Sequence, residues 1–393
     1  MKNIAIIDAD LIGVGNHRFP NLASMKLSAY HKNLGDNVVL KTNYEKLDYF
    51  DKVYISKVFI NTEIPFEPED KTLKKEDTVG EYYKTNPILS LPNVEYGGTG
   101  FFYDKAPWLP NEIEHIMPDY HLYDTYISEL IEQGANPKSF DGYTKYSIGF
   151  TTRGCIRHCS FCVNKNFNKS SRHSFVGEWL DADRPYICCL DDNVLACADW
   201  FSIFRDLQST NKRFQFKQGL DERLLTDSKC RELFTKSKWL GDYIFAFDNI
   251  KDQDLIKEKL DLVSGYTTKV LKFYTICGYN HENDVYDNDF WINDIIDAFK
   301  RIKILADYGC MPYITRHNNY LKSPYKGMYI NLARWCNQPN MFKKKSYREF
   351  VEANNNLTKG ESSTMKYTKD FVKDCPEIEE YFDFKFKPRK YMW

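Results

Sequence analysis

Two periods of apolar and polar residues alternate along this chain, and the switches between them outline its elements. Ile4 to Ala9 is an apolar, β-branched run of the kind that forms a buried strand. A loop over 13–20 follows. Leu22, Met25, Leu27, Ala29 and Tyr30 then recur at helical spacing over 21–34, with Gly35 where a C-cap belongs. Apolar runs at 38–40 and 53–59 predict two further buried strands. This strand–helix–strand order predicts a small parallel sheet of the α/β class. Residues 63–84 are charged and loop-like. Gly97-Gly98-Thr99-Gly100 reads as a turn or the floor of a cleft between domains, because it lacks both the GxGxxG spacing and the lysine of a phosphate loop.

From residue 146 the alternation resumes on a larger scale. Strands are predicted at 146–152, 186–190, 213–218, 243–247, 270–276 and 311–315. Helical patterns at 200–207, 227–235, 253–263 and 291–308 lie between them. Six βα units predict an open, partial (β/α)6 barrel of the TIM type, since eight would be needed to close one. The expected organisation is a Rossmann-like domain over 1–135, the partial barrel over 140–320 and a C-terminal extension over 321–393.

Composition narrows the class. The 393 residues are enough for two or three domains, and 42% apolar content argues against wholesale disorder. With 54 Lys+Arg against 55 Asp+Glu there is no global basic field, so any nucleic-acid contact must come from a local patch. No apolar run approaches the ~20 residues that span a bilayer. The first residues read as a strand rather than a signal peptide, and eleven cysteines in such a chain suggest metal binding or core packing before disulfides. A cytoplasmic location without membrane partners is expected.

Three of those cysteines form a compact group, Cys155, Cys159 and Cys162, in the run Arg153-Gly154-Cys155-Ile156-Arg157-His158-Cys159-Ser160-Phe161-Cys162 directly after the first barrel strand. Three thiolates can hold a cubane [4Fe–4S] cluster and leave one iron without a protein ligand. Zinc also takes thiolates at short spacing, but structural zinc sites pair two arms. No second arm is evident: Cys188 and Cys189 would point to opposite faces of a strand, and His158 sits awkwardly inside the tight loop.

The run resembles the signature of the radical S-adenosylmethionine (SAM) superfamily, matching Cx3Cx2C at all three cysteines. The resemblance implies that SAM chelates the open iron and is cleaved by one electron to a 5′-deoxyadenosyl radical. It also implies an electron donor such as flavodoxin or ferredoxin. Phe161 is expected beside the adenine. Asp191, Asp192 and Asn193 end the second barrel strand, where the superfamily holds the SAM amino group. Either carboxylate suits an ammonium, or caps a helix instead. Gln218, Asp221 and Arg223 follow the third strand, Asp248 the fourth and Gly278 the fifth. Together they form a candidate rim for SAM, with Arg223 and Asp248 also readable as an ion pair. Arg316 and His317 face either substrate or solvent.

The stretch before the barrel is similar to the cobalamin-binding domain that precedes it in many such proteins. Those domains often carry Asp-x-His-x-x-Gly, whereas this chain has Asp10-Leu11-Ile12-Gly13, and His17 is off pattern. Recognition of substrate or capping of the barrel is therefore expected ahead of cobalamin binding. The runs 342–348 and 384–391 mix cations with aromatics, which admits a nucleic-acid substrate beside a peptide or small molecule. Cys310 and Cys336 are candidates for quenching a radical. A methylthiotransferase-like enzyme would carry further N-terminal cysteines, and 1–150 has none. The non-catalytic alternative is a binding module stabilised by zinc or an iron–sulfur cluster.

Overall fold

The computed structural model describes residues 1–14, 19–68, 81–164 and 166–389. Contacts divide the chain into two compact units, Met1–Asp192 with Arg205–Gln215, and Asn193–Phe204 with Phe216–Trp393. The division falls inside the stretch read as a barrel.

Unit 1 opens with a four-stranded parallel sheet of β1 (Asn3–Asp8), β2 (Asn37–Lys41), β3 (Lys52–Ser56) and β4 (Val94–Gly97), in the order β2-β1-β3-β4. Ile4 to Ile7 in β1 are fully buried because both faces of the central strand are covered. Ile4 and Ile6 pack with Met25, Tyr123 and Phe140 on one face. Ala5 and Ile7 pack with Val53, Ile55 and Phe101 on the other. Asn21 caps the helix Leu22–Asn33 through the Ser24 N–H, close to the expected boundaries.

Two local expectations change. β3 stops at Ser56, and the strand β4 runs into the glycine stretch read as a turn, where no strand was expected. The glycine run serves close packing: Gly98 has φ 107°, and a Cβ there would stand 2.2 Å from the Lys57 carbonyl oxygen. Lys57 itself is fully buried, with Nζ donating to Thr62 O at 3.0 Å and lying 4.6 Å from the Tyr83 ring centroid. Of the charged stretch 63–84, residues 69–80 lie outside the described residues, as does His17.

All six strands expected after residue 146 are present, with ends moved by up to three residues. Unit 1 holds β5 (Tyr146–Gly149) and the unexpected two-residue pair β6 (Thr152–Arg153) and β7 (Ser171–Arg172), which run antiparallel. β8 (Tyr186–Cys189) pairs parallel with β5, and β9 (Arg213–Phe216) completes the order β5-β8-β9. Unit 2 holds the parallel sheet β10 (Tyr243–Ala246), β11 (Leu271–Cys277) and β12 (Met311–Arg316). The helix Asn288–Asp307 lays Trp291, Ile295, Ala298, Phe299, Ile302 and Leu305 into its core at helical spacing. The C-terminal segment is integral to that core through Tyr329, Trp335, Tyr347 and Phe371 on the helices Lys326–Cys336, Tyr347–Asn355 and Ser363–Asp374. No helix among the described residues is long and apolar enough to cross a membrane.

Asp8 ends β1 fully buried, accepting from Tyr123 Oη at 2.9 Å and from the Asp10 and Leu11 N–H groups. Burial outweighs those donors and pushes its carboxyl up to about 7. A carboxyl raised on folding favours the folded chain only while protonated, so stability falls as pH rises from the ordinary Asp range through about 7. Asp8→Asn should raise the urea midpoint at about pH 8 and leave it nearly unchanged at about pH 4, flattening the pH dependence. Equal effects of the substitution at both pH values would contradict this placement.

Candidate functional site

The three motif cysteines sit on an excursion over 154–170, within unit 1 and between β6 and β7. Thr152 pairs with Arg172 and Arg153 with Ser171, so this short antiparallel pair closes the base of the excursion. Gly154 begins it with φ 90°. A Cβ at that position would lie 2.3 Å from the Lys169 carbonyl oxygen, so only glycine passes. Within the loop, the Cys162 N–H donates to Cys159 O at 2.9 Å. The Arg157 N–H donates to Cys155 Sγ and the Asn164 N–H to Cys162 Sγ, each at 3.3 Å. Phe161 is half-buried in the same loop, its carbonyl accepting from Tyr103 Oη at 3.2 Å.

Two consecutive carboxylates brace the approach to this loop. Asp191 is 1% exposed and accepts from the backbone N–H and side-chain hydroxyl of both Thr151 and Thr152. Asp192 accepts the Gly154 N–H at 2.8 Å and Asn164 Nδ2 at 2.5 Å. Burial raises both carboxyls, against the pull of these donors. Asp191 is therefore engaged by four donors rather than open toward a cofactor amino group.

A second brace holds Arg153. Its guanidinium lies 3.2 Å from the Phe150 ring centroid and 5.0 Å from that of Trp108. Glu114 reaches Arg153 at 3.4 Å, His173 Nε2 at 2.9 Å and Lys26 Nζ at 3.0 Å. Burial alone would raise the Glu114 carboxyl, but the His173 hydrogen bond and the Lys26 and Arg153 charges bring it to about 2. The sequence offered no signal for Glu114, whose partners come from three distant segments.

The remaining candidates lie in unit 2. Asn193 Nδ2 donates to Asp221 at 3.2 Å, and Asp221 accepts from Arg223 at 2.8 Å. Arg223 pairs further with Asp252 at 2.9 Å, so its ion partners are Asp221 and Asp252 rather than the expected Asp248. Gln218 is exposed after β9. Asp248 accepts the Ile276 N–H at 2.9 Å, and burial raises its carboxyl. The Gly278 N–H donates to Asp294 at 2.7 Å. Arg301, 2% exposed, went unforeseen; it donates to the carbonyls of Phe247, Asp248 and Ile276 at the ends of β10 and β11. Its place on the apolar stripe of a long helix was the available signal.

Two other expectations look different in three dimensions. Asp10 of the cobalamin-like segment lies in the short helix Ala9–Gly13 and accepts from the Val58 and Phe59 N–H groups and from Thr62 Oγ1. The aromatic rings of the basic tail segments are core: Phe342 and Tyr347 are buried, and Phe384 and Phe386 pack against the same cluster. Lys390 and Tyr391 lie outside the described residues.

The eleven cysteines carry no disulfide and sort by environment. Cys155, Cys159 and Cys162 are partly exposed, and the other eight are buried. Burial raises the thiols of Cys189, Cys230, Cys277, Cys310, Cys336 and Cys375, which suits inert core packing, Cys310 and Cys336 included. Among the described residues no group of three or more His, Cys, Asp or Glu side chains converges closely enough to hold one metal ion. A cubane makes a different demand, because each thiolate takes its own iron. Three accessible thiols on one loop, two of them already receiving backbone N–H groups, fit such a cluster.

No protein-family model matches the chain, and no curated protein matches it at a significant level.

Alkylation of the native, metal-free, reduced protein should modify Cys155, Cys159 and Cys162 at least about tenfold faster than the other eight, read by peptide mass spectrometry. Comparable labelling of Cys188 or Cys336 would show that the burial contrast is wrong. Gly154→Ala should disrupt the closed base of the loop, seen as faster backbone hydrogen exchange across 152–172.

Proposed function

We propose that this protein is a radical SAM enzyme whose Cys155, Cys159 and Cys162 hold a [4Fe–4S] cluster. The observation that carries this reading is the sorting of the thiols. The three in the Cx3Cx2C motif share one braced, partly exposed loop, while the rest of the cysteines are packed away. The six strands after residue 146, with their intervening helices, support the proposed partial barrel. When bound, the cluster would supply one electron for reductive cleavage of SAM.

The chain's own part is binding, orientation and exclusion of water. Backbone N–H groups to sulfur would tune the potential of a bound cluster. Phe161 is the proposed neighbour of the adenine. With Asp191 engaged by its threonines, the proposed SAM contacts are Gln218, Asp221, Arg223, Asp248 and the Gly278 turn. An electron donor of the flavodoxin or ferredoxin kind completes the scheme. The substrate class is a small molecule, a peptide or a nucleic acid, and the inward packing of Phe342, Tyr347, Phe384 and Phe386 weighs against the last.

Anaerobic reconstitution should give about four iron and four sulfide per chain, with broad visible absorption. Dithionite and SAM should then yield 5′-deoxyadenosine. Replacing all three cysteines by alanine should remove the iron and the product while leaving the circular dichroism unchanged. Stoichiometric zinc with no visible absorption would replace this reading by a metal-stabilised binding module.

A further inference from the structure

A loop that offers three sulfurs to a rigid cluster must keep them at fixed separations, or ordering it subtracts from binding. Within the loop the Cys162 N–H donates to Cys159 O, which joins near neighbours. The Asp192 side chain joins the two ends. Asp192 Oδ2 accepts the Gly154 N–H at 2.8 Å, immediately before the first cysteine, and Oδ1 accepts Asn164 Nδ2 at 2.5 Å, just after the last. A carboxyl group that receives an N–H on each of its two oxygens holds two donors at a fixed separation. The backbone N–H of the same Asn164 donates to Cys162 Sγ, so the clamp reaches a sulfur through one residue.

We propose that Asp192 is a positioning residue for the cysteine loop, tying its entry at Gly154 to its exit at Asn164 so that the three thiols are set before anything binds them. The inference rests on reading that loop as a cluster site, and it departs from a role for Asp192 in binding the SAM ammonium. Asp191 anchors the preceding strand to the same turn through Thr151 and Thr152, so the pair fixes the whole approach to the first cysteine. Outer-shell partners of this kind typically alter metal affinity by about 10–100-fold when removed.

The test compares Asp192→Ala, Asp192→Asn and Asn164→Ala with the wild type. In the metal-free protein, alkylation of Cys155 and Cys162 and hydrogen exchange across 154–164 should both quicken in D192A, with no change in the thermal midpoint beyond about 2 °C. After reconstitution, a ferrous chelator should strip iron from D192A about tenfold faster than from wild type. D192N should behave as wild type in both assays, because an amide can accept from Gly154 and donate to a rotated Asn164 amide. N164A, which removes one of the two bonds, should fall between. Wild-type loop dynamics and iron retention in D192A would overturn the proposal. So would a D192N protein that keeps its iron no better than D192A, since charge rather than the paired hydrogen bonds would then matter. Should the wild type take up no cluster, the functional reading fails by itself, and the metal-free measurements still decide whether Asp192 orders the loop.

Discussion

A carboxylate taken out of water loses strong hydration, and it persists in a folded chain only where donors meet it in the right geometry. At the end of β8 this chain places two such groups in succession and spends them on the segment that leaves β5. Asp191 saturates itself on Thr151 and Thr152, and Asp192 spans Gly154 and Asn164. Neighbouring parallel strands thereby become one fixed turn. From there the geometry of the loop follows: β6 can pair with β7, Gly154 can pass beneath the Lys169 carbonyl, and the cysteines leave the sheet in a set direction.

Unit 2 answers the same problem with the opposite charge. Parallel strands that end together leave carbonyl groups without ladder partners, and burying those groups is costly. Arg301 brings a guanidinium from the middle of the helix Asn288–Asp307 and donates to three of these carbonyls across β10 and β11. The three carbonyls gather on one guanidinium nitrogen, Nη1, while Nε donates to the Asp297 carbonyl one turn back in the same helix. The helix can hold the charge at that depth because Trp291, Ile295 and Phe299 anchor it in a core completed by the C-terminal helices.

Sequence patterning carried the strands well and the polar braces poorly, for physical reasons that particular residues make plain. Runs such as Ile4 to Ile7 and Tyr186 to Cys189 are apolar on consecutive positions, a pattern that only burial on both faces accommodates. β4 escaped notice because Val94–Gly97 is short, carries Glu95 and ends in glycine, so its strand character comes from pairing with β3. Asp191 and Asp192 were legible as polar groups at a strand end. Their partners lie some forty residues earlier in the chain, and nothing local distinguishes a brace from a ligand contact. In the tail, period says more than composition. Phe384 and Phe386 alternate with Lys385 and Lys387, the period of an extended segment with one face inward. Its rings enter the core while Lys385 and Lys387 pair with Glu349 and Asp307.

The cysteines show most directly how environment assigns chemistry to one residue type. A thiol ligates metal as thiolate, so any surrounding that opposes charge also opposes ligation. Cys277 faces the interior of β11 and Cys336 lies within the helical core, where desolvation keeps the proton on sulfur. Cys155 and Cys162 are partly open to water, and each Sγ receives a backbone N–H. The contrast lies in folding, since the buried and exposed thiols differ in surroundings rather than in covalent chemistry. The motif spacing becomes useful only because the turn at Gly154 keeps those three sulfurs out of the core. The residues that build that turn are accordingly as much a part of the site as the sulfurs themselves.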